Sequence, residues 1–312
     1  MAKRKGPEGR APAARARAAP RSPAGKAPSA GKNPSASETE KLQKVLAELG
    51  YGSRRELEQW ISAGRVEVNG ETAQLGQRVS ATDTIRVDGR SVGRAPQAGC
   101  RVLLMNKPAG VICTRRDPEG RRTIFDDLPK LRQGRWISVG RLDVQTSGLL
   151  LLTNDGALAH RLMHPSSGLD REYAVRVNGQ LDDAQLGTLK SGVTVEGERL
   201  QFSDIQYYNG SGSNHWYHVV LMEGRNREVR RLFESAGLTV SRLKRVRFGP
   251  VIMPSTLRSG RCLEMGQKDL QAVYQLLKLP LTLPRGRKAG GRNRSEAEKS
   301  VLLPYPELTL RA

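Results

Sequence analysis

A single carboxylate and a single guanidinium stand among small and hydroxyl-bearing residues in a loop at positions 140–148. The loop reads Gly-Arg-Leu-Asp-Val-Gln-Thr-Ser-Gly, with Arg141 and Asp143 as its charged members. It directly precedes a wholly apolar segment, residues 149–152, which predicts a strand at the centre of a sheet. Such a strand can hold the Asp143 carboxylate still enough to act as a nucleophile or a base. Taken alone, the pattern favours an Arg–Asp pair that orders a turn.

The charge of the chain points to its partners. It has 312 residues and a formal net charge of +21. A charge of this size indicates a polyanionic partner, with nucleic acid first and an anionic membrane surface second. No apolar stretch is long enough to span a bilayer, and no secretory signal is recognised, so we expect no membrane partner. Residues 224–250 hold eight basic and two acidic residues, which predicts either a solvated basic face or a wall that follows RNA phosphates.

The cysteines and histidines predict neither a disulfide framework nor a metal site. Cys100, Cys113 and Cys262 are far apart and form no CxxC pair, which is typical of a protein from a reducing compartment such as the cytoplasm. His160 and His164 have the i, i+4 spacing of a zinc-binding helix, but no third ligand is evident. We expect them to pack or to cap a helix, and we expect no metal.

The composition divides the chain into four parts. Residues 1–38 are rich in Ala, Pro, Gly, Ser and basic residues, and residues 283–312 place arginines among glycines. Segments of this kind bury too little apolar surface to offset the entropy of ordering, so we expect a disordered basic arm and a disordered basic tail. Between them, residues 39–97 predict a small module with its linker, and residues 98–282 predict a larger domain.

The smaller module has the pattern of two helices followed by strands. Apolar residues recur at helical spacing over 42–49, and Ser53 and Glu56 form a capping box that begins a second helix. Strands are predicted at 66–68 and 84–87, with an Asn-Gly hairpin turn after the first. The module is therefore predicted to be an ααβ unit.

In the larger domain, predicted strands are interspersed with a few helices and form no regular βαβ repeat. This predicts an α+β fold whose sheet is mixed, largely antiparallel and flanked by helices. The predicted strands are 102–105 continued at 111–114, 149–152, 172–177, 200–208, 216–222 and 239–248. The predicted helices are 157–163, 181–190, 226–236 and 269–277.

A family resemblance covers the whole of the smaller module. Its distinctive residues are the segments 42–46, 53–55, 64–66, 68–70 and 87–89, together with Gly50, Ile61, Leu75 and Gly76. In these residues the module resembles an S4 RNA-binding domain. The resemblance implies that exposed basic residues of the helices contact RNA, and the matching positions here are Lys44, Arg54, Arg55 and Arg65.

A second resemblance covers most of the larger domain. The segments 140–143 and 146–150 resemble the catalytic motif of pseudouridine synthases. Three further segments, at 106–110 (Asn-Lys-Pro-Ala-Gly), 171–173 (Arg-Glu-Tyr) and 224–231 (Gly-Arg-Asn-Arg-Glu-Val-Arg-Arg), match the ribosomal RNA enzymes of the RsuA/RluB type, which carry an S4 domain. The last segment looks more like the RluB-like large-subunit enzymes than the RsuA-like small-subunit ones.

The resemblance implies roles for individual residues. Asp143 is expected to start cleavage of the N-glycosidic bond, as a nucleophile or a base, on a uridine flipped out of its stack. Arg230 is the candidate cation beside it, with Arg231 as a stand-in. Tyr173 is expected to stack on the base and to offer its hydroxyl to proton transfer, and Arg141 is expected to support the flipped nucleotide. The isomerisation needs no cofactor.

Further cations of the same motifs are expected to bind RNA. They are Lys107, Arg225, Arg227 and Arg231. A basic loop at 115–122 is expected to grip an RNA stem. The predicted substrate is therefore ribosomal RNA, most of all the 23S RNA of the large subunit or an assembling particle, and the expected oligomeric state is a monomer.

Two other functions share part of this pattern. A synthase acting on 16S RNA of the small subunit has the same motifs, and a non-catalytic S4-type ribosome-assembly factor has the same module and charge. Asp143 and Tyr173 argue against the second, because a degenerate homologue would usually lack one of them. A metal-dependent nuclease needs clustered carboxylates, and none surround these motifs. A DNA-compacting basic protein is also disfavoured, because it would need neither a packed α+β core nor the specific loop motif at 140–148.

Overall fold

The computed structural model describes residues 39–93, 99–281 and 300–306. The expected basic arm at 1–38, the linker residues 94–98 and most of the expected C-terminal tail lie outside these described residues. The described residues form two parts. The smaller part has one hydrophobic cluster, and the larger part has two.

Residues 39–93 form two helices and six short strands. In chain order they are β1 (Glu40–Lys41), α1 (Leu42–Glu48), α2 (Arg54–Ser62), β2 (Val66–Val68), β3 (Glu71–Thr72), β4 (Arg78–Val79), β5 (Ile85–Val87) and β6 (Arg90–Ser91). Four strands form a sheet in the order β3-β2-β5-β6, and β1 pairs with β4. Two helices followed by strands are what the sequence predicts.

Local side-chain chemistry sets the start of α2 and the turn after β2. The Ser53 hydroxyl accepts a hydrogen bond from the Glu56 amide at 3.1 Å, and the Glu56 carboxylate accepts one from the Ser53 amide at 3.3 Å. The predicted capping box is therefore present. Asn69 and Gly70 have φ angles of 55° and 90°, the left-handed conformation that a two-residue hairpin turn requires.

Eleven strands and four α-helices follow within residues 99–281. The strands are β7 (Val102–Lys107), β8 (Ile137–Val139), β9 (Ser147–Thr153), β10 (Arg171–Asn178), β11 (Val193–Val195), β12 (Glu198–Leu200), β13 (Asp204–Ser211), β14 (Asn214–Leu221), β15 (Thr239–Phe248), β16 (Val251–Ile252) and β17 (Cys262–Glu264). The helices are α3 (Gly156–Met163), α4 (Asp183–Ser191), α5 (Glu228–Ser235) and α6 (Gln267–Leu276), with a 3-10 helix at Pro165–Ser167.

Nine of these strands form one sheet. Seven follow each other in the order β13-β14-β10-β15-β9-β7-β17, while β8 pairs with β9 and β16 pairs with β15. Strands β9 and β15 are parallel, and the other neighbouring strands are antiparallel. This confirms the predicted α+β fold with a mixed, largely antiparallel sheet.

Hydrophobic clusters lie on both faces of the sheet. In β9, Leu150 and Leu152 belong to the cluster beneath α4 and α5, whereas Leu149 and Leu151 belong to the cluster beneath α3 and α6. Successive strand residues point to opposite faces, so a strand covered on both sides is apolar throughout. The predicted central strand is thus confirmed, and it anchors the loop that precedes it.

Several details differ from the predictions, among them strands β8, β11, β16 and β17, which were not predicted. Residues 111–114 form no strand: Ile112 makes a single bridge with Thr123, because the chain turns into a loop there. The single strand predicted at 200–208 is divided into β12 and β13. Helix α5 begins at Glu228, since Arg227 adopts a left-handed φ of 49°.

The expected tail also returns to the fold. Residues 300–306 lie against the larger domain, where Val301 is buried and its carbonyl accepts a hydrogen bond from the Ile252 amide at 2.9 Å. The apolar run Val-Leu-Leu at 301–303 supplies the surface that a tail of basic and small residues lacks. Disorder throughout 283–312 was therefore the wrong expectation for this segment.

Candidate active site

The loop at 140–148 enters the sheet through a glycine. Gly148 pairs with Arg245 in the parallel register of β9 and β15 and has a φ of 102°. A β-carbon there would lie 2.2 Å from the Arg245 carbonyl oxygen, so a side chain cannot be accommodated without moving backbone. The end of the loop is thereby fixed to two strands.

A buried lysine holds the rest of the loop. The Lys107 side chain is fully buried, and its ammonium donates hydrogen bonds to the carbonyls of Pro108 at 2.9 Å, Val144 at 3.3 Å and Thr146 at 2.9 Å. Burial lowers the pKa of Lys107, an effect that the nearby Cys113 and Asp143 oppose. An ammonium has three donors, and all three are used here. Lys107 is therefore a clamp on the loop, and its three hydrogen bonds leave no donor for the predicted contact with RNA.

Asp143 stands at the exposed part of this fixed loop. Its backbone carbonyl accepts a hydrogen bond from the Thr146 amide at 3.0 Å, and the preceding residue, Leu142, is buried in the hydrophobic cluster beneath α4 and α5. The Asp143 side chain is exposed. Within the described residues no hydrogen bond or ion pair engages its carboxylate, which is thus available to a ligand from solvent.

Arg230 is the cation that α5 presents to the loop. Its guanidinium donates hydrogen bonds to the Val240 carbonyl at 2.9 Å and to the Gln145 carbonyl at 3.5 Å. Burial, and secondarily the nearby Arg227, lowers the pKa of Arg230, whereas Asp143 acts in the opposite direction. An arginine stays charged even so. The structure thus brings together Asp143, Arg230 and the Lys107 clamp.

Arg231 faces a different part of the molecule. Its guanidinium donates to the Glu198 carboxylate at 2.6 Å and to the Val195 carbonyl at 2.9 Å, and it lies 3.2 Å from Glu196. These groups belong to the β11–β12 hairpin and its turn. Arg231 therefore does not replace Arg230 beside Asp143, and its bonds occupy the donors that its predicted contact with RNA would need.

Tyr173 is the third residue of β10, which is separated from β9 by β15. It is buried in the same hydrophobic cluster as Leu142 and pairs with Val219 on one side and with Arg245 on the other. Burial lowers the pKa of the neighbouring Arg171, while Tyr173 opposes that shift. The ring is held rigidly, which suits a stacking surface.

Two arginines near Tyr173, one buried and one half-buried, escaped the sequence analysis as site residues. Arg245 is 3% exposed and donates to the Leu149 carbonyl at 2.7 Å, while Arg171 donates to the carbonyls of Leu169 at 2.8 Å and Met222 at 2.7 Å. Charge alone could not distinguish them from surface arginines. One signal in the sequence could have found Arg245. Side chains two residues apart in a strand point to the same face, and Arg245 follows the apolar Leu243 by two residues.

The predicted basic wall at 224–250 is therefore partly internal. Arg230 and Arg245 are buried, and Arg247 is bound to Asp170 at 2.7 Å and to Glu172 at 2.9 Å. Four of its basic residues remain available at the surface or partly so: Arg225, Arg227, Arg242 and Lys244. Of these, Arg225 is held by Glu223 at 2.7 Å. Arg141 is exposed beside Asp143.

The predicted RNA-binding residues of the smaller module lie on or beside its helices. Arg54 and Arg55 are exposed in the first turn of α2. Lys44, on α1, forms an ion pair with Glu40 of β1. Arg65 donates to Asp88 at 2.8 and 2.6 Å, and its guanidinium lies 4.3 Å from the centre of the Trp60 ring. Arg65 is thus more constrained than the sequence suggests, and all four remain outside the Asp143 cluster.

The smaller module contacts the larger domain beside the basic loop. Arg116 lies 3.6 Å from the Glu56 carboxylate, and a β-carbon on Gly50 would lie 2.9 Å from the Gly134 carbonyl oxygen. The first contact places the start of α2 next to the loop at 115–122. The two basic groups predicted to bind RNA are thus neighbours.

Other expectations concern metals, histidines and membranes. Within residues 39–93, 99–281 and 300–306, no group of three or more His, Cys, Asp or Glu is placed to hold a metal ion. His164 caps the 3-10 helix by accepting a hydrogen bond from the Ser166 amide at 3.2 Å, as the capping prediction requires. No helix in the described part of the chain is long and apolar enough to cross a membrane.

Comparison with known proteins adds family information to this geometry. Residues 101–235 match the model of a family described as RNA pseudouridylate synthase, and residues 40–85 match the S4 domain. The first match contains Asp143, Tyr173 and Arg230.

Several named proteins are similar over most of the chain. Ribosomal large subunit pseudouridine synthase B of Pseudomonas aeruginosa is 56% identical over 271 residues, which cover 86% of this chain and 70% of that protein. The protein of the same name from Escherichia coli strain K12 is 55% identical over 246 residues, covering 78% of this chain and 84% of that protein. A crystal structure of a pseudouridylate synthase has a TM-score of 0.52 at 25% identity, covering 75% of this chain and 99% of that one.

Proposed function

Because the chain belongs to the RNA pseudouridylate synthase family, we propose that it isomerises one uridine of large-subunit ribosomal RNA to pseudouridine, with Asp143 as the catalytic residue. The observation that carries the role of Asp143 is its position. Its carboxylate is exposed on a loop fixed by Lys107 and Gly148, and Arg230 lies beside that loop. A rigid, accessible carboxylate next to a cation suits a nucleophile or a base.

The proposed reaction rearranges bonds within one nucleotide. The bond between uracil N1 and ribose C1′ breaks, and a bond between uracil C5 and C1′ forms. The C5 proton is lost and N1 gains a proton, so no electrons or other groups are exchanged. One carboxylate and a route for protons therefore meet the chemical need.

Tyr173 and Arg230 complete the proposed site. Tyr173, held in the hydrophobic cluster, offers a flat surface for the displaced uracil and a hydroxyl for proton transfer. Arg230 is close enough to Asp143 for the two charges to attract each other. Arg141, exposed two residues before Asp143, supports the flipped nucleotide or the gap that it leaves in the RNA.

The choice of large-subunit RNA rests on the named relatives. The proteins from Pseudomonas aeruginosa and Escherichia coli that share 56% and 55% identity are both large-subunit synthases. We assign RNA binding to residues 39–97, with Lys44, Arg54, Arg55 and Arg65, and catalysis to residues 98–282. Arg225 and Arg227 are the remaining proposed contacts of the catalytic part. We propose a cytoplasmic monomer.

A chemical map of pseudouridine in ribosomal RNA tests this function. Cells lacking the protein should lose a single site in large-subunit RNA, which the wild type restores and Asp143→Asn does not. Loss of a small-subunit site would instead identify a 16S enzyme. Persistence of every pseudouridine in the deletion strain, together with absence of activity of the purified protein on that RNA, would favour an assembly factor.

A further inference from the structure

One face of the sheet is left uncovered over four strands: β13, β14, β10 and β15. Along β10, Tyr173, Val175 and Val177 point into the cluster beneath α4 and α5. The alternate residues therefore point to the opposite face, and they are partly exposed. Helices α3 and α6 pack on that opposite face over the half formed by β7, β8 and β9, and their cluster extends to Phe248 at the end of β15 and Val251 of β16. No described helix covers the other half.

Cations and aromatic rings face each other across this surface, which we call the open face. In β10, Arg176 stands opposite Trp216 of β14 and Arg242 of β15. In the next row, two residues along β10, His218 of β14 and Lys244 of β15 occupy the same face. A row of this kind offers both planar rings and positive charge within about 10 Å, the width of three strands.

The outer strand of the open face adds a hollow beside the rings. Tyr208 of β13 is 68% exposed, and its ring centre lies 5.5 Å from that of His218. A hollow of about 340 Å³ is lined by these two rings together with Gln206, Glu172 and Asp204. This volume is within the range of small-molecule sites, and the lining combines stacking surface with hydrogen-bonding groups.

The acidic groups of the hollow are neutralised by neighbours. Burial alone would raise the pKa of Glu172, but hydrogen bonds from His218 and Arg247 lower it below the usual value. Asp204 lies 3.0 Å from the Lys190 ammonium. The cations Arg242 and Lys244 have no ion-pair partner among the described residues. The open face therefore presents positive charge that is free to bind phosphate.

We propose that the open face binds a single-stranded segment of the RNA substrate, outside the Asp143 site. Unpaired bases stack on Tyr208 and Trp216, one base edge enters the hollow, and Arg176, Arg242 and Lys244 contact the phosphates. Aromatic rings beside cations on an exposed sheet are a suitable platform for unpaired nucleotides, whose faces all stack. The identity of this RNA as ribosomal rests on the proposed function, whereas the surface chemistry does not.

Charge decides against the other occupants. A second copy of the chain would bring its own net charge of +21, and the same patch would face itself in a symmetric dimer. Rows of Arg and Lys opposite each other repel. A polyanion gains from the same cations, and its bases use the rings that a simple counterion would leave exposed.

Binding of oligoadenylate to the full chain tests the proposal. A fluorescein-labelled strand of about ten adenosines spans a typical single-strand site and holds no uridine for the Asp143 site. Tyr208→Ala should weaken binding about ten-fold through lost stacking. Arg242→Glu should weaken it by a similar factor and reduce the salt dependence. Lys268→Glu, on an exposed position of α6, makes the same change from a positive to a negative charge elsewhere and should have less than a two-fold effect.

A second readout reports the open face directly. The chain has three tryptophans, of which Trp136 is buried. In a Trp60→Phe background, oligoadenylate should quench the fluorescence of Trp216, and Tyr208→Ala should move this quenching to about ten-fold higher strand concentration. This readout is independent of any other basic segment that binds the strand.

The outcomes separate the proposals. Unchanged Trp216 fluorescence together with affinities within two-fold of wild type for both variants would overturn RNA binding at the open face. A dimer that Arg242→Glu dissociates, with unchanged affinity for the strand, would assign the face to a second copy and also overturn it. Neither result bears on pseudouridine formation, which is measured separately on ribosomal RNA.

Discussion

Gly148 and Arg245 approach each other so closely that a β-carbon on Gly148 would lie 2.2 Å from the Arg245 carbonyl and 2.7 Å from its amide nitrogen. Both of these contacts are with backbone, in the parallel pair of β9 and β15. Because neither strand can move without losing its pairing, the loop that carries Asp143 is joined to the sheet at a point that accepts only glycine.

Gly148→Ala is therefore expected to lower the free energy of unfolding by about 3 kcal/mol or more, through overpacking and a strained φ. Urea denaturation followed by far-UV circular dichroism measures it. Gly120→Ala is the matched control, since Gly120 also has a positive φ, 66°, but no atom lies within 4 Å of its would-be β-carbon. Gly120→Ala should lower the free energy of unfolding by about 1 kcal/mol, from backbone strain alone. Equal costs would mean that the approach to Arg245 is unimportant.

Lys107→Met tests the clamp on the loop. The change keeps the length of the side chain but leaves the carbonyls of Pro108, Val144 and Thr146 without their donor. We expect a loss of about 1–3 kcal/mol of stability from unpaired buried acceptors, partly offset by removal of a buried charge. The rate of pseudouridine formation should fall by about 100-fold, because a small displacement of a reacting group costs that much.

Single-turnover assays with saturating enzyme separate this from weak RNA binding. Lys130→Met removes an exposed lysine and should leave rate and stability near wild type. If Lys107→Met reacted at the wild-type rate but bound RNA more weakly, Lys107 would contact RNA after all, and its role as a clamp would be refuted.

Asp143→Asn and Arg230→Gln should differ in their effects on stability. The Asp143 carboxylate has no side-chain partner among the described residues, so Asp143→Asn should change the unfolding free energy by less than about 0.5 kcal/mol. It should still reduce the single-turnover rate by on the order of 10⁴-fold, as loss of a catalytic group does.

Arg230 is buried and donates to Val240 and Gln145, so Arg230→Gln should also destabilise the protein, by about 1–3 kcal/mol. Release of tritium from RNA labelled at uracil C5 follows the rate, and thermal unfolding follows stability. A strongly destabilised Asp143→Asn would indicate that the carboxylate orders the loop instead of acting on the RNA.

Much of this architecture could be predicted from periodicity and turn chemistry. The apolar run at 149–152 predicts a central strand because both of its faces are covered, and the capping box at Ser53 and Glu56 predicts the start of α2. The placement of Asp143 on the loop before that strand follows directly. Local pattern was sufficient wherever local hydrogen bonds and burial decide the structure.

The burial of charged side chains could not be predicted in the same way. Lys107, Arg245 and Arg247 look like surface cations in the sequence, but each binds a partner distant along the chain: the Thr146 carbonyl, the Leu149 carbonyl and Asp170 respectively. Long aliphatic side chains can be buried or exposed with equal ease, and only tertiary contacts decide which. The return of residues 300–306 has the same origin, because Val301 depends on a surface formed far earlier in the chain.

Acid should weaken the fold through Asp170. Burial alone would raise the pKa of this carboxyl, but hydrogen bonds from Arg247 and Tyr305 lower it overall. A carboxyl whose pKa is lower in the folded state stabilises the protein above its unfolded pKa, and this stability is lost as the pH falls through the folded pKa.

Asp170→Asn should therefore flatten the decline of the unfolding free energy between about pH 5 and pH 2. Arg247→Gln should flatten it too, because it removes the main hydrogen-bond donor of Asp170. Urea titrations at a series of pH values give the slopes. A wild-type slope in Asp170→Asn would show that other carboxyls dominate the acid response.

Removal of residues 300–312 should lower the stability of the larger domain, because residues 300–306 pack against it. Val301 is buried, the Leu303 amide donates to the Pro250 carbonyl at 2.8 Å, and the Tyr305 hydroxyl donates to Asp170 at 2.8 Å. Loss of the valine burial and these bonds should cost about 2–4 kcal/mol. Removal of 307–312 alone keeps all three contacts and is the control.

Because Asp170 is held by both Tyr305 and Arg247, the longer truncation should also flatten the acid response. Tyr305→Phe should reproduce this flattening without the loss of apolar packing. If the two truncations unfolded at the same urea concentration, the segment would contribute nothing to stability, and the contact of Val301 with the domain would be incidental.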